Sequence, residues 1–327
     1  MKAKVFLFVI LFVALLIYAP ARAEKRFPSR IISLGPALTE GLYLLGAQDK
    51  LVGCTIYCQK PPEVKNKEKV GTAIEVNLEK VVSLKPDLVL AISLTSPKVR
   101  EKLKNLGIKV ITFSTPKDFN DIGKHFLELG KLVGKVKEAE KIVKNAENKA
   151  DSIKEKVKNL YHPKVLVQVG ARPLFVATDR YFVNDYIEFA GGINIAQGAK
   201  EGIYSREQAL KANPDVIIIV TMGIVGKEER EIWEKYKTLN ATKNERIFIV
   251  DSYKFCNPTP VSFVETLEEI VKILHFNLST SHRINPSTSP RVNPVLRRAQ
   301  HGSKHGELSR TKQAKRVEGL KKKGGET

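Results

Sequence analysis

Two stretches of the chain repeat one pattern, and that repetition restricts the fold more than any other feature. Glu79 and Glu207 occupy matched positions. Each is followed at the same interval by Pro-Asp (Pro86-Asp87 and Pro214-Asp215), and each Pro-Asp runs into an apolar segment, Leu88-Val89-Leu90 in one copy and Val216-Ile217-Ile218 in the other. An amphipathic stretch that stops before a proline and feeds a short apolar run reads as a helix–strand unit. Asn77 stands where the first helix needs an N-cap, and Ser205 with Gln208 carries the signature of a capping box for the second. Two copies of one unit predict two lobes of like construction.

The alternation extends on both sides of each copy. Residues 30–34, 51–55, 87–92 and 109–113 read as strands, separated by helical stretches at 36–45, 78–84 and 98–106. Residues 164–169, 174–177, 215–220 and 246–250 read as a second set of strands, with helices at 181–190 and 260–274. Short apolar runs alternating with helices predict parallel sheets covered on both faces. Between the two sets, apolar residues recur every third or fourth position from Phe119 and Ile122 through Val143 and Ala150 to Val157 and Leu160, the stripe of an amphipathic helix. Gly130 and Gly134 predict a break. The second piece, 135–160, would be about 39 Å long at 1.5 Å per residue, enough to run between two lobes as a spine. The expected architecture is α/β: lobes at 24–117 and 161–275, each doubly wound, joined through the helical segment 118–160 with its long rigid helix.

The two ends differ from the body. Lys2 and Lys4 precede an apolar run from Val5 to Ala19, and Ala21-Arg22-Ala23 fits a cleavage site. This predicts a signal peptide over 1–23, with an uncleaved anchor as the alternative. The apolar run is short for a membrane span, and no Cys follows it to carry a lipid. Residues 276–327 have no aromatic beyond Phe276, no apolar period, and abundant Ser, Pro, Arg and Lys. A stretch of that kind buries too little to offset its ordering entropy, so a basic disordered tail is expected. Of the formal charge of +20, three units lie on residues 1–23 and nine on 276–327, leaving eight on the body. The overall basicity therefore does not indicate nucleic-acid binding. Export permits disulfides. With three cysteines, Cys54, Cys58 and Cys256, one disulfide and one buried thiol are expected, Cys256 pairing with either of the others. The trio is too sparse for a zinc site.

Several segments together resemble a known family. Arg30-Ile31-Ile32-Ser33-Leu34-Gly35-Pro36, Leu45-Gly46-Ala47, Tyr57-Cys58, Pro61-Pro62-Glu63 and Asn77-Leu78-Glu79 are similar to the first lobe of the cobalamin and iron-siderophore periplasmic binding proteins of ABC importers. Phe189-Ala190-Gly191-Gly192-Ile193-Asn194 and Ser205-Arg206-Glu207-Gln208 are similar to the second lobe. The resemblance covers about residues 29–275. It implies a monomeric, non-enzymatic, extracytoplasmic protein with a ligand cleft between the lobes and a helical linker that permits only slight closure. It also implies that Glu79 and Glu207 dock on arginines of a permease. Without it, an acid in the first turn of each helix is accounted for by the helix dipole alone. The ligand would be an iron–siderophore, cobalamin or haem, with no resident metal or cofactor.

Tyr57 and Phe175 stand at two of the family's cleft positions. Trp-rich cobalamin clefts are not matched: Ala73-Ile74-Glu75 and Ile203-Tyr204 occupy neighbouring positions, and the one Trp, Trp233, lies elsewhere. Arg172, Arg180 and Tyr204 suit an anionic iron chelate or haem propionates; surface ion pairing is the simpler role for each arginine. Two other functions compete. An exported enzyme would need an activated residue, but there is no Gly-x-Ser-x-Gly elbow, phosphate loop or dinucleotide fingerprint, and three of the six histidines lie in the expected tail. An exported haem or metal scavenger would need no permease and no matched glutamates.

Overall fold

The computed structural model describes residues 27–199, 202–221 and 225–275. The leader expected at 1–23 and the tail expected at 276–327 lie outside the described residues.

Five parallel strands form the first sheet: β1 (Ile31–Ser33), β2 (Leu51–Cys54), β3 (Glu68–Lys69), β4 (Leu88–Ile92) and β5 (Lys109–Phe113), in the order β3-β2-β1-β4-β5. Helices α1 (Pro36–Leu44), α2 (Leu78–Ser83) and α3 (Pro97–Asn105) connect them. Pro36 and Pro97 sit in the first turns of their helices, where a missing N–H costs nothing. Successive strand residues point to opposite faces, so each sheet builds two cores. Ile31, Leu88 and Leu90 pack beneath α1, while Ile32, Val89 and Ala91 pack with Val81 of α2 and Leu103 of α3.

The second sheet is built from β6 (Lys164–Gly170), β7 (Phe175–Val176), β8 (Ile193–Asn194), β9 (Val216–Thr221) and β10 (Ile247–Asp251). Its helices are α6 (Val183–Phe189), α7 (Arg206–Ala212), α8 (Val225–Glu234), α9 (Asn240–Lys243), α10 (Ser252–Cys256) and α11 (Pro260–His275). One feature departs from the expected all-parallel sheet: β7 is antiparallel to β6. The reason is connection length. Only Ala171–Leu174 separate the two strands, far too few residues for a crossover to a parallel neighbour. β8 pairs parallel with the amino-terminal half of β6, alongside β7 on its carboxyl-terminal half.

Two helices link the sheets, α4 (Phe119–Val133) and α5 (Val136–Val157). Asp118 caps α4, its carboxylate accepting from Asp121 N at 2.7 Å, and Gly134 ends it in a left-handed conformation at φ 81°. The spine α5 has 22 residues, about 33 Å, slightly shorter than expected because residues 158–160 leave the helix. Its one apolar stripe serves both lobes. Ala139 and Val143 join the first core, and Ala146, Ala150 and Ile153 the second. A helix whose buried face is shared between two cores cannot bend without opening one of them.

The repeat has the same geometry in both lobes. Lys85 and Asn213, at matched positions, are left-handed, with φ of 46° and 47°. The next Asp in each copy tethers the start of the neighbouring strand: Asp87 accepts from Ser29 N at 2.7 Å and Arg30 N at 3.1 Å, and Asp215 from Lys164 N at 2.9 Å. Their own N–H groups return to Arg30 O and Lys164 O at 2.9 and 2.8 Å.

Candidate functional site

Parallel α/β sheets bind ligands where loops leave the carboxyl ends of the strands. In this molecule those ends approach each other. Lys60, just beyond β2, donates its N–H to the Tyr253 hydroxyl in α10, which follows β10, at 3.1 Å. Thr259, before α11, donates its hydroxyl to Glu40 Oε1 on α1 at 3.1 Å. Burial raises the Glu40 carboxyl and the Tyr253 phenol above their ordinary values, so Tyr253 keeps its proton at neutral pH.

Around these contacts the loops expose apolar side chains. Ile56 and Tyr57 follow β2, Ile74 follows β3, and Leu94 follows β4. The second lobe contributes Val169, Phe175, Tyr181 and Ile203. Phe175 reaches the carboxyl end of β6 because β7 is antiparallel: its partner there is Gly170, and an isolated bridge joins it to Ile203. Tyr57 is 49% exposed and Phe175 38% exposed, a cost in water that stacking on a ligand would remove. The loop after β3 is held by Gly71, whose φ is 96° and where an added Cβ would stand 2.3 Å from Glu75 O, so no side chain fits.

Arg172 and Arg180 are both exposed in the loops of the second lobe. Among the described residues the arginines in ion pairs are Arg206 and Arg230, so these two guanidinium groups remain available to an anion. Tyr204 is placed differently. Its ring packs against the core under α7 and its hydroxyl donates to Ile195 O at 3.2 Å, so its polar end is already used within the lobe. Trp233 is wholly buried beneath α7, donating its indole N–H to Gln168 Oε1 at 2.7 Å. Among the described residues the crevice therefore contains no Trp.

Glu79 and Glu207 are exposed, each the second residue of its helix. Asn77 Oδ1 accepts from Lys80 N at 2.9 Å, and Ser205 and Gln208 complete the capping box. Both helices pack on the sheet face away from the spine, so the two carboxylates belong to corresponding layers of the two lobes.

The expected disulfide is absent. All three cysteines are free. Cys256 is exposed, while Cys54 and Cys58 are buried together in the first lobe. Sequence order concealed this, because Cys58 returns toward Cys54 through a turn closed by Cys58 N to Thr55 O at 3.1 Å. A cavity of about 280 Å³ lies apart from the strand ends, among α4, α5 and α6, lined by Asp118, Glu147, Asp151, Lys154 and Asp185 among others. It belongs to the linker region, whereas the exposed aromatics and the arginines without ion pairs among the described residues lie in the loops of the two lobes.

Comparison with known proteins bears on the family and the fold. The family described as "Periplasmic binding protein" matches residues 31–253. An uncharacterized ABC transporter substrate-binding lipoprotein of Bacillus subtilis (strain 168) is 33% identical over 262 residues, covering 77% of this chain and 81% of the relative. A vitamin B12-binding protein of Vibrio vulnificus (strain YJ016) is 28% identical over 235 residues, 71% of this chain and 85% of the relative. A possible iron-binding (periplasmic solute-binding) protein of Staphylococcus epidermidis has a solved structure that superposes with a TM-score of 0.68 at 29% identity, covering 76% of this chain and 99% of that one.

Proposed function

The chain belongs to the periplasmic binding protein family, and from that premise we propose that it captures a metal chelate outside the cytoplasmic membrane and delivers it to the permease of an ABC importer. The observation that carries this reading is the exposure of Tyr57 after β2 and Phe175 opposite the carboxyl end of β6, with Arg172 and Arg180 exposed in second-lobe loops, on two sheets linked by one long helix. Apolar rings offer a flat chelate a stacking surface, and unpaired guanidinium groups offer its acidic substituents bidentate hydrogen bonds. The class comprises iron–siderophores, cobalamin and haem. The absence of Trp from the described crevice, together with the two arginines, favours a chelate bearing carboxylates, such as haem or an anionic ferric complex, over a corrin.

Glu79 and Glu207 supply the docking points. Matched acids on matched helices, free of ion pairs among the described residues, suit two symmetry-related basic patches on a dimeric permease. A scavenger that never meets a permease has no use for that pairing. The chain's family is one of binding proteins, and among the described residues no crevice side chain is arranged as a nucleophile with its base.

A thermal-shift panel with haem, cobalamin, ferric siderophores and bare metal ions tests the ligand. A chelate present at about 100 times its Kd stabilises the folded protein by about 2.7 kcal/mol. Tyr57→Ala and Phe175→Ala are each expected to weaken binding of the responding chelate by about 1–3 kcal/mol. Unchanged affinity in both would remove the crevice from consideration. Glu79→Lys combined with Glu207→Lys is expected to abolish uptake while leaving chelate affinity intact. Uptake at the unmodified rate would refute the docking role.

A further inference from the structure

Cys54 and Cys58 are buried in one core cluster at the two ends of the segment bearing Ile56 and Tyr57, Lys69 Nζ reaches both residues, and their surroundings are those of a reactive thiol pair. The Cys58 sulfur is 3.1 Å from the Thr39 hydroxyl, which donates to it, and 3.2 Å from the Thr55 hydroxyl. Lys69 places its ammonium 3.2 Å from Cys54 Sγ, and its other contacts are the Val64 and Cys58 carbonyls at 3.1 and 3.3 Å. No carboxylate pairs with Lys69 among the described residues; the ion pair nearest in sequence joins Lys80 to Glu68. A part-buried ammonium whose partners are carbonyls and a sulfur leaves an unbalanced positive charge that one thiolate in the pair would neutralise.

We propose that Cys54 and Cys58 are a redox-active dithiol that closes to an intramolecular disulfide by exchange with an external disulfide. Cys58 is the attacking sulfur. The neighbouring Cys54 and the Thr39 and Thr55 hydroxyls on its sulfur outweigh burial and bring its pKa down to about 6, while proximity to Cys58 and burial push Cys54 up. The Cys58 thiolate attacks one sulfur of R–S–S–R and expels RS⁻, giving a mixed disulfide on Cys58. With Cys58 no longer anionic, Lys69 favours ionisation of Cys54. Its sulfur then attacks Cys58, forms the Cys54–Cys58 bond and expels the second RS⁻. Two electrons pass from the cysteine sulfurs to the external disulfide, and the two thiol protons end on the two RSH released. Both sulfurs are covered, so exchange requires the turn bearing Ile56 and Tyr57 to open first. Closure then ties together the two ends of that turn.

The test uses the full chain and glutathione disulfide, with no chelate present, so its result is independent of the ligand proposed above. The protein is equilibrated across a series of glutathione redox ratios, quenched, alkylated in denaturant and measured by mass spectrometry. The expected result is joint loss of the Cys54 and Cys58 thiols in one step as a linked peptide pair, with Cys256 still open to alkylation. Cys54→Ser is expected to trap one glutathione on Cys58 in place of closure. In a time course of the same reaction, Lys69→Met is expected to prolong the mixed disulfide on Cys58 relative to wild type, because the resolving Cys54 loses its ammonium partner. The proposal is overturned if the wild-type pair stays reduced where Cys256 is glutathionylated. A stable glutathione adduct on wild-type Cys58 that never resolves would overturn it equally. The wild-type measurement decides the matter even where a variant fails to fold.

Discussion

Asp87 and Asp215 each hold the start of a neighbouring strand by its backbone N–H. Burial alone would raise both carboxyls. The N–H groups of Ser29 and Arg30 on one, and of Lys164 with the side chains of Asn240 and Tyr161 on the other, outweigh it and hold both below the usual value of 3.8. A depressed pKa contributes stability that is present at neutral pH and lost as pH falls below about 4. Asp87→Asn and Asp215→Asn are each expected to lower the unfolding free energy by about 1 kcal/mol at pH 7, read from urea denaturation, and to flatten the acid limb. Asp185 behaves in the opposite sense. Burial, with Asp118 and Glu188 nearby, raises it to about 6 against its bonds to Phe119 N and the Lys154 charge. A raised carboxyl takes up its proton in the folded state first, so its contribution to stability grows as pH falls from about 6 toward 4. Asp185→Asn is expected to stabilise the protein at pH 7 by about 1 kcal/mol, allowing for partial solvent contact, and to remove that growth. Equal urea midpoints for wild type and variant at pH 7 would contradict this.

Among the elements, the α4–α5 pair depends on one small residue. A Cβ on Gly130 would stand 2.5 Å from the Ala139 Cβ and 3.0 Å from Lys135 O, neither of which is a flexible chain end. Gly130→Ala is expected to cost about 1–3 kcal/mol through overpacking, despite the better helix propensity of alanine; a neutral or raised melting temperature would show that the hairpin can open to admit it. Helix α7 is anchored by a different device. Arg206 pairs with buried Glu229 on α8 and lies 4.7 Å over the Trp233 ring, while Gln168 joins Glu229 to the indole. Adjacent Glu207 therefore projects from a helix fixed on its inner side. Trp233→Phe keeps most of the buried ring and deletes the N–H donor, so a loss of about 1–2 kcal/mol is expected in chemical denaturation.

At the scale of the whole body, the spine restricts how far the lobes can move. α5 belongs to both cores, and Glu40–Thr259, Lys60–Tyr253 and Phe119–Asp185 add polar contacts between the first half of the chain and the second. Wide opening would have to expose apolar residues of at least one core. Chelate binding is accordingly expected to leave the radius of gyration in small-angle scattering unchanged within error. A resolvable compaction would mean that the linker bends and that the shared stripe on α5 is not rigid.

Much of this was written locally. The spacing from Phe119 to Val157, the caps at Asn77, Asp118 and Ser205, and the duplicated Pro-Asp all act within a few residues, so periodicity and side-chain chemistry suffice to read them. The two lobes, the linking helix and the exposure of Glu79 and Glu207 follow from those signals. What the sequence could not display are contacts between residues far apart or turned back on themselves. The antiparallel β7 brings Phe175 to the crevice rim, the core beneath α7 takes Tyr204 and Trp233 out of it, and the turn after β2 joins Cys54 to Cys58 under Lys69. In each case the deciding quantity is which atoms a side chain meets once distant segments have packed, and tertiary packing alone sets that.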